Sequence, residues 1–210
     1  MTNVRLVEKD WDFEAGMLPL DFANTAEWHL SSEPDEWLND YSDLVGWSKA
    51  AGFIDERAAR SLIEHAATKS RDAEDIFDRA IAMREATFRI FQAVAEGTQT
   101  GNSDLALINK IVQESSKNVR VAQLSDRFDW EWDQTALDWL LGPIARSVAE
   151  LLTSVELNRV GICADEDRGC GYLFYDVSRN HSRKWCSMES CGNRAKAKRH
   201  YQRQSNTIIA

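Results

Sequence analysis

The sequence predicts an α+β protein: a mostly helical N-terminal domain carrying one β-hairpin (residues 1–155), followed by a small module of different construction (156–210). Three observations predict it. Apolar residues in the first part recur at helical spacing except in one alternating stretch. All four cysteines fall between residues 163 and 191. Charge is also divided, since residues 178–204 hold eight Lys/Arg against one acid, Glu189, whereas the rest of the chain holds 17 basic and 33 acidic residues. The formal net charge of -9 therefore averages two electrostatically opposite parts.

Along the chain, MLPLDF reads as a strand leading to Asn24-Thr25, a polar pair suited to a turn or cap, and HLSSEPDE reads as a long loop. In DYSDLVGWSKAAG, Leu44, Trp47 and Ala51 mark a helix that Gly52 stops, and DERAARSLIEHAA supplies a second. The longest pattern is AEDIFDRAIAMREATFRIFQAVAEG, whose stripe of Ile76, Phe77, Ala80, Met83, Thr87, Phe88, Phe91 and Val94 marks a central helix ending at Gly97. A further helix follows around DLALINKIVQE. In NVRVAQLSDRFDWEWD, Val119/Val121 and Phe128/Trp130/Trp132 alternate around a Ser-Asp-Arg turn, the signature of a β-hairpin. Residues 135–154 read as the last large helix, bent at Pro143. Trp28, Trp37, Trp47, Trp130, Trp132 and Trp139 are assigned to the core.

With 43% hydrophobic residues, three prolines and no polar tract, the chain can bury a substantial core. No run approaches the roughly 18 apolar residues of a membrane span, and MTNVRLVEKDWDFE lacks an apolar h-region. The expected compartment is the cytoplasm, where thiols stay reduced and clustered cysteines point to a metal rather than to disulfides.

The cysteines are spaced Cys163-x6-Cys170, then fifteen residues, then Cys186-x4-Cys191. Two close pairs joined by a hairpin-length insert suit a tetrahedral all-thiolate zinc site. The insert GYLFYDVSRNHSRKW reads as two strands around a Ser-Arg-Asn-His turn, and GNRAKAKRHYQRQ reads as a helix beginning at the fourth cysteine, where the macrodipole favours a thiolate. Knuckle, hairpin and ligand-bearing helix make a treble-clef-like finger holding one structural zinc through Cys163, Cys170, Cys186 and Cys191. His181 and His200 are the substitute ligands considered, one on the turn and one more than two turns into the helix. Four thiolates close the shell and leave no position for a catalytic water. No G-x-S-x-G, P-loop or H-E-x-x-H occurs, so an enzyme is not expected.

The run from Cys163 to Arg203 resembles the CGNR zinc-finger family, whose motif stands here as Cys191-Gly192-Asn193-Arg194. LPLDFANTAEW, AMREATFRIFQAVAEG and WLLGPIARSVAELL are similar to segments of the ABATE domain that accompanies this finger in bacterial proteins. The resemblance covers nearly the whole chain and implies transcription regulation. One departure is the six-residue gap between the first two cysteines.

On a helical wheel, Lys196, Arg199, His200 and Arg203 share an arc of about 100°, with Ala197 and Tyr201 elsewhere. A basic face on a zinc scaffold is suited to phosphate, so DNA is the expected partner. The candidate contacts are Arg179, Arg183, Lys184, Arg194, Lys196, Lys198, Arg199 and Arg203. Arg194, directly after the ligand turn, is equally placed to hydrogen-bond the thiolates. A second reading, from a different class, makes the finger a structural clamp for an acidic partner or for its own N-terminal domain. Fusion of a large domain to a small reader also suggests a sensor, with Asn24 and Arg84 as candidates for a small-molecule effector site. The alternatives are a cap or turn role for Asn24 and an ion pair for Arg84. The opposite charges of the two parts further suggest that the basic face docks on the acidic domain.

Overall fold

A computed structural model of the chain describes residues 9–208, with side chains as far as residue 202 apart from that of Leu124. It is an α+β protein of helices and three two-stranded antiparallel sheets. The helices are α1 (Leu18–Ala23), α2 (Tyr41–Ala50), α3 (Glu56–Thr68), α4 (Ser70–Glu96), α5 (Asn102–Ser115), α6 (Leu141–Leu152) and α7 (Asn193–Ile208). The strand pairs are β1 (Ala26–Glu27) with β2 (Asp35–Glu36), β3 (Val119–Leu124) with β4 (Arg127–Trp132), and β5 (Val160–Ile162) with β6 (Leu173–Tyr175).

The central 27-residue helix is α4, which ends at Gly97 in the left-handed conformation (φ 67°). Its expected stripe faces inward: Ile76, Ala80, Met83, Thr87, Phe88 and Phe91 are buried, and Phe77 and Val94 pack at the margin. Around it lie α1, α2, α5 and α6, whose Phe22, Trp47, Ile108 and Ile144 complete the core. Two acids start their helices by capping: Asp40 accepts from the Asp43 amide and Asp55 from the Ala58 amide.

Four expectations need correction. MLPLDF is not a strand, because residues 18–23 form α1. Pro19 sits in its first turn, where the missing N–H costs nothing and the preset φ suits a helix. Pro19 through Ala23 are all buried, so period carried no information there. The helix expected over 135–154 begins instead as a 3-10 turn, Leu137–Leu140, and Pro143 lies in the first turn of α6 rather than at a kink. Among the tryptophans, Trp47 and Trp139 are in the core, whereas Trp130 on the β3–β4 hairpin is 45% exposed.

The fourth correction concerns the insert between the cysteine pairs. Its first limb is β6, but this pairs with β5, upstream of Cys163. The return limb forms no ladder, because Asp176 closes the turn with its side chain. Its two oxygens accept from the Ser178 and Arg183 amides, at 2.8 and 2.9 Å. Val160 and Leu173, from this small hairpin, belong to the main core. The C-terminal module is thus packed into the helical body. Among the described residues, no helix is long and apolar enough to cross a membrane.

Candidate metal centre and nucleic-acid face

Each cysteine is delivered by a different piece of local structure. Cys163 directly follows β5, its amide donating to Tyr172 O at 2.9 Å. The 3-10 turn Glu166–Arg168 and left-handed Gly169 (φ 63°) bring the chain back so that the Cys170 amide reaches Asp165 O at 3.1 Å. Cys186 follows the Asp176-closed turn. Its carbonyl accepts from Arg183 Nη2 at 2.6 Å, while Arg183 Nε donates to Trp185 O and the guanidinium stacks on Phe174, 4.4 Å from the ring centre. Cys191 lies in a π-helical turn, Met188–Gly192, that runs directly into α7 and is capped by Ser187.

The four sulfurs lie within 4.8 Å of one another, with Cys170–Cys186 at 3.8 Å and Cys186–Cys191 at 3.4 Å. Tetrahedral Zn–S bonds of about 2.3 Å place sulfurs about 3.8 Å apart, so the set fits zinc and would hold it closed on all four sides. His181 and His200 are not part of the cluster.

The cluster's protons also fit a cation. Hydrogen bonds from Cys163 and Cys170 hold Cys186 low. Hydrogen bonds to Cys163 and Cys186 push Cys170 up, and burial pushes Cys191 up to about 12. A dication displaces thiol protons on binding, and so offsets what holds Cys170 and Cys191 protonated beside Cys186. Arg194 supplies further positive charge: its Nη2 donates to Cys191 Sγ at 2.8 Å and to Asp165 Oδ2 at 2.9 Å. Burial opposes the Arg194 charge, but Asp165 and the nearby sulfurs outweigh it and raise its pKa.

The N-terminal body grips this centre from outside. The His29 and Leu30 amides donate to Cys170 O and Gly169 O, at 3.2 and 3.0 Å. A Cβ on Gly169 would overlap the Leu30 carbonyl, so glycine is required there by close approach as well as by φ. Trp28 packs on the cysteine cluster, with the Arg194 guanidinium 5.2 Å from its ring centre. His29 stacks on Phe88 and meets Glu85 at 3.0 Å, linking the knuckle to α4.

The family comparison accords with this geometry. A model described as "Putative stress-induced transcription regulator", ABATE, matches residues 16–155, two-thirds of the chain. The chain belongs to the ABATE family. A second model, the CGNR zinc finger, matches residues 159–204 of this ABATE protein, and together with the four-sulfur cluster it establishes one structural zinc ion. No curated protein matches the chain.

The candidate basic contacts divide into two groups. Arg183 and Arg194 direct donors into the finger, onto backbone carbonyls, a carboxylate and a sulfur. Lys198 is exposed but paired with Asp167 at 2.6 Å. Arg179, Lys184, Lys196 and Arg199 are exposed and form no ion pair among the described residues. The Arg203 side chain lies outside the described residues. Arg168, which sits in the long knuckle rather than the basic run, joins Lys184, Trp185 and Arg199 along a cleft of about 620 Å³ between knuckle and α7 that Asp165, Glu166 and Asp167 also line.

Asn24 and Arg84, the candidate effector residues, are both engaged by internal partners. Asn24 is buried and its amide is spent on one backbone residue: Nδ2 donates to Leu173 O at 2.8 Å, and Oδ1 accepts from Leu173 N at 2.9 Å. It acts as a one-residue strand partner for β6. Arg84 is buried and bonded to Glu36, at 2.5 and 2.7 Å, and to Glu85. Burial opposes its charge, and Glu36 and Glu85 more than restore it. Neither residue lines a described cavity. Among the described residues, the acids that pair with α7 are Asp165 and Asp167, both in the finger's knuckle.

Proposed function

We propose that this protein is a DNA-binding transcription regulator whose zinc finger contacts the phosphate backbone through the outer face of α7 and the adjoining turn. The observation that carries the reading is the division of labour among the arginines and lysines. Arg183 holds the Cys186 carbonyl and Arg194 the Cys191 sulfur, while Lys184, Lys196 and Arg199 stand exposed without acidic partners among the described residues. Zinc with four thiolates carries a net -2, which the inward arginines offset locally, leaving the outward cations for a polyanion. No catalytic role enters this reading, because four cysteines close the metal shell. A mobility shift of duplex DNA by the zinc-loaded chain tests it. The parent is expected to bind, and the double variant Lys196→Glu/Arg199→Glu to lose binding while keeping its zinc.

A second reading is favoured by the docking of residues 24–30 on the finger: the module acts as a clamp on its own N-terminal body. The two readings use different residues of the finger: Lys184, Lys196 and Arg199 in the first, Gly169, Cys170 and Leu173 in the second. A parent protein that shifts no DNA, yet loses helical stability when zinc is removed, would leave the clamp alone.

A further inference from the structure

The β3–β4 ribbon sorts its residues by face. Val119/Trp132, Val121/Trp130 and Gln123/Phe128 are directly opposed pairs on one face, with Arg120/Glu131 and Ala122/Asp129 on the other. The second face satisfies its own charges, since Arg120 pairs with Glu131 at 2.5 Å and Arg127 with Asp129 at 3.3 Å. The first face has six positions and no charge. Its root is covered: the Trp132 ring lies so close to Gly142 of α6 that a methyl group there would overlap it. Its tip is not, for Val121, Phe128 and Trp130 are 59%, 71% and 45% exposed. Arg146 stacks over Trp130 at 3.9 Å, forming a cationic rim.

A lone two-stranded ribbon is marginal in water, and these three side chains expose on the order of 350 Å², comparable to the largest apolar patch of a typical monomer. We propose that this face is the contact between two copies of the chain, apolar tip against apolar tip about a two-fold axis.

Charge selects the occupant. Two molecules of net charge -9 repel over most of their surface, and the ribbon face is where they can meet without opposing charges. A polyanion or a basic ligand finds no counter-charge on those six positions. The area is also suitable. Two tips remove on the order of 700 Å² of apolar surface, and the strand flanks bring the total toward the roughly 1,200 Å² at which stable interfaces begin. An aromatic, charge-free centre rimmed by arginine is the composition such interfaces favour. The pairing would present two fingers on one particle.

Sedimentation equilibrium of the full zinc-loaded chain tests the proposal. The expected mass is twice the 23.9 kDa of one chain. Phe128→Asp should weaken the dimer roughly 100-fold or more, and Arg120→Ala, on the opposite face, should leave it unchanged. Hydrogen exchange of the parent needs no variant: amides of residues 119–132 should be better protected at high protein concentration than at low. A monomer up to about 100 μM, a concentration by which a specific contact of this size should have formed, would overturn the proposal. So would exchange independent of concentration, or a dimer indifferent to both Phe128→Asp and Val121→Lys.

Discussion

Replacing Asn24 with alanine should destabilise the helical body and the zinc finger together. Leu173 is fully buried, and its N–H and C=O both bond the Asn24 amide. Alanine leaves one buried donor and one buried acceptor unsatisfied, each costing about 1–3 kcal/mol, so the total loss is about 2–5 kcal/mol. For a domain of this size each kcal/mol lowers Tm by roughly 2–4 °C, giving a drop of about 5–15 °C. Urea unfolding followed by far-ultraviolet circular dichroism would measure the body, and a chromophoric chelator would report zinc release in parallel. Both transitions should move together, because Leu173 belongs to the main core and lies three residues from Cys170. Asn24→Asp offers an internal check. Its ionised carboxylate would face the Leu173 carbonyl, whereas its protonated form can again donate, so that variant should recover stability on acidification. A loss below about 0.5 kcal/mol, or movement of only one transition, would refute the coupling.

Two other outcomes follow from the same packing. Chelating zinc, or Cys186→Ser, should lower the melting temperature of the whole chain and not melt the finger alone, since Val160 and Leu173 pack in the helical core; calorimetry should show one shifted transition. Burial of Asp21, opposed by its bond from the Ala15 amide, raises its pKa from 3.8 to about 7. The folded state therefore holds the proton more tightly than the unfolded chain, and this contribution is complete below about pH 4 and lost as pH rises through about 7. Asp21→Asn should consequently gain about 1–2 kcal/mol at pH 8 and nothing at pH 4, by urea titration at each pH.

The metal centre was legible in the sequence because its signal is chemical. Four thiols in a short span announce themselves through spacing, and the GNRAKAKRHYQRQ helix follows from residue type. The long helix α4 was legible because its stripe is amphipathic. Periodicity failed where every side is buried, as in α1, and where a side chain replaced a ladder, as Asp176 does. Arg183 and Arg194 look like Lys196 and Arg199 in a charge count, and only distance separates those that bond a cysteine's carbonyl or sulfur from those that face solvent. The grip of residues 28–30 on the knuckle could not be read, because it uses backbone amides and spans some 140 residues of sequence.

The outward cations of the finger either meet phosphate or serve only to keep the module soluble. The most direct measurement is the affinity of the full zinc-loaded chain for a labelled DNA duplex, by fluorescence anisotropy, across a series of salt concentrations. With three or four phosphate contacts from Lys184, Lys196, Arg199 and Arg179, log affinity should fall against log salt with a slope of about -3 to -4. Lys196→Ala and Arg199→Ala should each reduce that slope by about one, while Lys110→Ala, on α5, leaves it unchanged. Absence of binding at low salt, or a slope indifferent to both finger variants, would contradict the account.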